Sequence, residues 1–306
     1  MPSRTSARRG ASRAGRLPDG AVRHRVRLGA GTDVHVVEWP AGAAATGTPA
    51  EGVTVVLAHG WTLTHASWLP VVELLRARYG VRVVAFDQPG HGLSTPESRT
   101  PTVHELGEVL HRVLTALAPT GPLVLAGHSM GGMTIMAWAA DHPDELAARV
   151  RGVVFVATSA KVGEDRLRIP LEQALMKASA RAPRVAPGRL MSTRAQTRLL
   201  YGRDTARETV VPGVTLIRHT SLPTLGRYFL ALQQHDETEA LEHLGAVPTR
   251  VLVGTADRLT PVGDARALAD GIRGAQLSVL PGLGHMLTYE APDVVADAIG
   301  DSLSAG

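Results

Sequence analysis

Six short runs of apolar, largely β-branched residues punctuate the chain, at 53–58, 81–86, 123–126, 153–157, 250–253 and 276–280. Most of them are apolar at successive rather than alternate positions, which suits strands buried on both faces, as in a parallel sheet. Stretches with helical spacing of apolar residues lie between them or after the last, at 68–79, 103–117, 133–142, 262–272 and 292–303. Strands alternating with helices imply βαβ units, whose crossovers cover both sheet faces. The expected fold class is therefore α/β, with a mostly parallel sheet flanked by helices. Upstream, alternating segments at 22–28 and 33–39 flank the turn-prone Gly29-Ala30-Gly31-Thr32 and predict an antiparallel hairpin.

The alternation breaks once. From 159 to 243 no convincing strand appears, and helix-like pieces at 171–180 and 189–200 are separated by Pro183, Pro187, Pro212 and Pro223. Ligands bind outside the carboxyl ends of the strands in open α/β sheets, so this segment is expected to lie over those ends as a helical insertion. The domain plan is a core formed by 22–158 and 244–306, a cap at 159–243, and an Arg-rich leader at 1–21.

With 44% hydrophobic and 20% charged residues, the 306-residue chain can bury a sizeable core. No run of eighteen apolar residues occurs, so no bilayer-spanning helix is expected. The net charge of +4 would point to nucleic acid or an anionic membrane if it were spread over the body. It is concentrated instead: eight arginines against Asp19 give residues 1–27 a charge of +7, and the remainder carries −3. We read the leader as a solvated tail and expect no nucleic-acid partner. Arg8-Arg9 lacks the following apolar stretch of a twin-arginine export signal. With no cysteine, disulfides and thiolate metal sites are excluded, and a cytoplasmic location is expected.

The chemistry centres on Gly127-His128-Ser129-Met130-Gly131, entered from the apolar run 123–126 and left through a helix-like stretch. This is G-x-S-x-G between a strand and a helix. Glycines suit a sharp turn that lifts a serine hydroxyl clear of the backbone, and the following helix aims unpaired N–H groups at the site. A serine hydroxyl is a weak nucleophile and needs a base. Of thirteen histidines, His285 fits best, in Gly284-His285 just after the run 276–280. His128 is expected to point away, and His24, His104, His111, His142 and His243 read as surface residues. Asp257, after the run 250–253 and before Pro261, is the candidate carboxylate that orients the imidazole. Asp264 reads instead as a helix-start residue. Oxyanion donors are expected at the backbone N–H of Met130 and of Trp61, in the loop His59-Gly60-Trp61-Thr62. His59 reads as a brace for that loop. Leu63, Leu259, Met286 and Leu287 flank these positions and are candidate apolar lining, with ordinary core residues as the alternative.

Taken together, His59-Gly60-Trp61, the turn at 87–94, the elbow at 127–131, Gly254-Thr255-Ala256-Asp257 with Pro261, and Gly284-His285 resemble the α/β-hydrolase superfamily over about residues 25–303. The resemblance implies an eight-stranded, mostly parallel sheet with a helical cap, no metal, no cofactor, and hydrolysis through a covalent acyl-enzyme. Relatives that break carbon–halogen bonds or open epoxides carry aspartate where Ser129 stands, so acyl chemistry is favoured. The loop after His59 lacks the Gly-Gly-Gly motif of one large esterase group. A carboxylesterase or lipase-like enzyme is the leading expectation, with a small, apolar acyl compound as partner. The same residues would serve thioester hydrolysis, acyl transfer, carbon–carbon bond hydrolysis or perhydrolysis. A ligand-binding member with little turnover is the reading from another class. Oligomeric state leaves no mark on the sequence.

Overall fold

The computed structural model describes residues 17–29, 31–96, 99–162, 170–186, 188 and 192–304. Residues 1–16 of the leader lie outside them. The two alternating segments form the antiparallel pair β1 (Val22–Gly29) and β2 (Thr32–Trp39). The six apolar runs become β3 (Thr54–Ala58), β4 (Arg82–Phe86), β5 (Leu123–His128), β6 (Val150–Val156), β7 (Thr249–Gly254) and β8 (Gln276–Leu280). They join one eight-stranded sheet in the order β1-β2-β4-β3-β5-β6-β7-β8. β2 pairs antiparallel with β4, and every pairing from β4 to β8 is parallel.

Burial on both faces explains the continuous apolar runs. Within β3, Val56 and Ala58 pack on one side with Phe86, Leu125 and Phe155, whereas Val55 and Leu57 pack on the other with Ala85, Val124 and Leu252. The first face is covered by α2 (Val103–Leu117), α3 (Met130–Asp141) and α10 (Val262–Gly271), through residues such as Leu110, Trp138 and Leu268. The second is covered by α1 (Leu69–Tyr79) and α12 (Pro292–Leu303), through Val72, Leu75 and Ile299. Two short helices were not foreseen. α4 (Pro143–Arg149) begins with a proline at its first turn, where a missing N–H costs nothing, and α11 (Leu287–Glu290) follows His285.

Between β6 and β7 the described residues form α5 (Pro170–Ser179), α6 (Thr193–Leu200), α7 (Arg207–His219), α8 (Leu222–Leu232) and α9 (Ala240–Leu244). Two of the prolines taken as separators lie inside helices. Pro223 occupies the first turn of α8, and Pro212 sits within α7, whose buried face of Val210, Val214 and Ile217 packs with Leu63 and Met286. The ends of the insertion are drawn together: Ala160 O accepts from Glu237 N at 2.8 Å, Ser159 O meets His235 Nε2 at 3.0 Å, and Lys161 pairs with Asp236 at 2.6 Å. Three further bonds fasten it to core loops, from Thr220 Oγ1 to Thr62 O (2.9 Å), Thr224 Oγ1 to Gly90 O (3.1 Å) and the Tyr228 hydroxyl to Pro89 O (2.5 Å). Among the described residues no helix is long and apolar enough to cross a membrane.

Candidate active site

Ser129 stands where β5 turns into α3, with φ 53° and ψ −119°. A serine in this region costs on the order of 1–3 kcal/mol, so the surroundings must hold it there. They do so through Ser129 N donating to Val156 O at 2.9 Å, and through Thr158 Oγ1 donating to Ser129 O at 2.8 Å. A Cβ on Gly127 would stand 2.5 Å from the Gly131 carbonyl carbon, across the turn; one on Gly131 would stand 2.0 Å from Ala58 O of β3. The first clash is the one the sequence predicts, and the second comes from the neighbouring strand. Ser129 remains half-buried, with its hydroxyl free of hydrogen bonds to described residues.

Asp257 lies in the loop after β7 and His285 in the loop after β8; they are 4% and 3% exposed. Asp257 Oδ2 accepts from His285 Nδ1 at 2.9 Å and from Thr260 Oγ1 at 2.8 Å. Its Oδ1 accepts from the Leu259 and Thr260 amides at 2.8 and 2.9 Å. Burial pushes this carboxyl upward, but the facing imidazole and the Thr260 donors prevail and hold it below the usual range. The carboxylate accepts the hydrogen bond of His285 Nδ1–H, which leaves Nε2 as the ring atom able to accept. The loop is joined to the elbow by His128, whose Nε2 donates to His285 O at 2.9 Å; the two rings lie 4.9 Å apart. His128 is thus a buried link and not an idle neighbour of Ser129. Ser129 and His285 form no direct hydrogen bond, as is common before substrate draws such pairs together.

The loop after β3 comes within reach of the elbow: a Cβ on Gly60 would stand 3.2 Å from the Ser129 Cβ. The Trp61 amide finds no acceptor among the described residues. Met130 opens α3, so its N–H has no partner inside the helix. Two buried histidines fix this loop. His59 Nδ1 donates to Gly60 O at 2.8 Å while Nε2 accepts from Gln88 N at 2.8 Å, which makes it the brace that was expected. His91, unremarked in the sequence, accepts from Thr62 N at 3.2 Å and donates to Pro89 O at 3.2 Å. Thr62 itself holds φ 63°, a costly conformation for a β-branched residue.

Leu63 and Met286 are brought together with the partly buried Leu259 in one apolar cluster with Val210, Val214 and Ile217 of the insertion. Leu287 lies apart from them, in the core beneath the sheet with Trp68 and Val295. Asp264 lies in the first turn of α10, as its helix-start reading required. Among the histidines read as surface residues, His104 and His243 are exposed. His111 and His142 are half-buried and stacked, with ring centres 4.1 Å apart. Sequence reasoning passed over Thr260, a hydroxyl next to the Pro261 that was noticed.

Among the described residues two groups of donors lie close enough to share a cation, His35 with His65 and Asp87, and His111 with His142 and Glu145. Neither includes Ser129, Asp257 or His285. In the first, Asp87 already accepts from His65 N (2.7 Å), His65 Nδ1 (2.8 Å) and Leu93 N (3.0 Å). Burial opposes its ionisation, yet these partners hold it at about 2, so it serves as an anchor for the 87–94 turn. One surface cavity of about 690 Å³, bordered by Pro143, Glu242 and Arg273, lies apart from Ser129.

Burial, foremost, holds the imidazoles of His59, His91 and His128 down to about 4, 3 and 3, against an ordinary 6.5. These folded values are depressed, so an unfolded chain takes up protons below pH 6.5 that the folded chain refuses. Stability is therefore full above 6.5 and falls with pH toward the folded values, by at most about 4 kcal/mol per pH unit for three such groups. The melting temperature is expected to drop steeply between pH 6.5 and 5, with these three rings taking up close to three protons on unfolding and His235, held at about 4 by burial, nearly one more. Calorimetry across that range checks this, and a flat profile would show that these rings tolerate charge.

The fold and the elbow define a class of α/β proteins that carry a serine on a strained strand-to-helix turn. A sequence model of the alpha/beta hydrolase family matches residues 55–298, and the chain belongs to that family. The pimeloyl-acyl-carrier-protein methyl ester esterase of Chromobacterium violaceum is 31% identical over 246 residues, spanning 78% of this chain and 89% of that protein. A monoacylglycerol lipase of Mycolicibacterium smegmatis is 31% identical over 256 residues, spanning 77% and 82%. Among solved structures, a thermophilic esterase from Thermogutta terrifontis matches with a TM-score of 0.73 at 23% identity, over 92% of this chain and 98% of that one.

Proposed function

We propose that the protein is a serine esterase that cleaves a carboxylic ester through a covalent acyl-enzyme, with residues 159–243 as a cap over the site. Ser129 is the nucleophile, His285 the general base and Asp257 the carboxylate that orients it. His285 Nε2 takes the Ser129 proton as the hydroxyl oxygen bonds to the carbonyl carbon, and the Met130 and Trp61 amides hold the resulting oxyanion. The ring then gives that proton to the departing alcohol as the carbon–oxygen bond breaks. Water, deprotonated by the same ring, releases the acid and restores the serine.

The observation that carries this reading is the conjunction of a strained, accessible Ser129 with a buried Asp257–His285 pair whose loop is bonded to the elbow. The named relatives, a methyl ester esterase and a monoacylglycerol lipase, support ester cleavage. The apolar cluster of Leu63, Met286 and Leu259 with the α7 residues supports a substrate with an apolar portion. A fluorophosphonate probe is expected to label Ser129 alone, read by mass spectrometry of the digested protein. A panel of p-nitrophenyl esters from two to sixteen carbons then reports the depth of the pocket. Labelling at another serine would remove the assignment.

A further inference from the structure

Glu290 ends α11, five residues beyond His285, and its carboxylate faces backbone amides of two separate segments. Its Oε2 accepts from Gly202 N at 2.8 Å and from Thr205 Oγ1 at 2.9 Å, both in the insertion. Gly284 N, the residue before His285, donates to Oε1 at 3.0 Å and Oε2 at 3.1 Å. Alongside, Leu200 O accepts from His285 N at 2.7 Å and from Met286 N at 3.2 Å. The two backbones lie directly on one another, since a Cβ on Gly202 would stand 2.1 Å from Gly282 O.

We propose that Glu290 is a positioning residue for His285, clamping the histidine loop to the 200–205 stretch so that the seating of the insertion sets the imidazole. The inference rests on the esterase reading given above. His285 is held at three points: its amide by Leu200, its carbonyl by His128 and its ring by Asp257. The carbonyl and ring points are local to the core. The amide point depends on the insertion, and Glu290 is the side chain that locks the insertion against the neighbouring residue, Gly284. Hydrogen bonds to a carboxylate are about twice as strong as neutral ones, so one side chain bonded to both segments holds them together. Displacing a reacting group by about 1 Å costs up to about 100-fold in rate.

The test compares Glu290→Ala and Thr205→Val with the unaltered protein. Three quantities are read well below each melting temperature: kcat per fluorophosphonate-titrated site, KM for a short p-nitrophenyl ester, and the downfield proton resonance of His285 Nδ1–H. For Glu290→Ala the expected result is a 10- to 100-fold fall in kcat per titrated site, KM within about threefold, and a shifted or broadened resonance. Thr205→Val removes the hydroxyl shared between Glu290 Oε2 (2.9 Å) and Gly202 O (3.0 Å) and is expected to move both readouts the same way by a few-fold, which keeps the question answerable if the alanine variant does not fold. A lower melting temperature with kcat per site and the resonance unchanged would reduce Glu290 to a structural staple and overturn the proposal. A disturbed resonance in a protein whose turnover survives Ser129→Ala would sustain the positioning role while removing the esterase reading.

Discussion

Ser129→Ala is expected to lower ester turnover by about 10⁵- to 10⁶-fold in kcat, with KM little changed. In the proposed mechanism this hydroxyl forms the acyl bond. Alanine keeps the Cβ, and Ser129 Oγ makes no hydrogen bond to the described residues, so none of them is orphaned by the change. The bonds that hold the elbow come from the Ser129 amide and carbonyl and survive the substitution. Melting temperature should stay within a few degrees, and the oxyanion amides should leave a residual rate above that of water. Stopped assays with purified variant, after extended incubation, give the number. Turnover within tenfold of the parent would end the covalent mechanism.

Asp257→Asn is the second large effect. Leu259 and Thr260 amides both point at Oδ1, which fixes the amide oxygen of asparagine on that side. Its NH₂ group must then face Thr260 Oγ1 and His285 Nδ1, where a carboxylate oxygen stood. An NH₂ donates and cannot accept, so the imidazole is driven to carry its proton on Nε2, the atom required as acceptor for the Ser129 proton. The expected loss is about 10⁴-fold in kcat, with the fold retained because size and packing are unchanged. Circular dichroism and steady-state kinetics on the same preparation check it. A loss below tenfold would mean that the carboxylate does not set the tautomer.

The sheet was legible because its inner strands are buried on both faces, which writes uninterrupted apolar runs such as 53–58 into the chain. The elbow was legible because its backbone admits little but glycine at Gly127. Ser129, Asp257 and His285 could each be singled out because each follows a strand, and strand ends are easily placed. The insertion was not legible in detail. Its helices are held by contacts with the core, so the buried face of α7 outweighs a proline that costs about 3 kcal/mol in isolation. Thr260, His91 and Glu290 were missed because they act on backbone groups or on another side chain's partner, and such pairings leave no periodic trace. Gly202 and Glu290, for example, are 88 positions apart.

The insertion is sewn to the core at Thr62, Pro89, Gly90 and the histidine loop, by side chains and carbonyls scattered over α6 to α8. It does not behave as an interchangeable cassette. Exchanging it wholesale for that of a relative would carry off the attachments of the very loops that present the Trp61 amide and the His285 ring. Selectivity in such a scaffold is better altered by small replacements on the inward helix faces than by transplanting the segment entire.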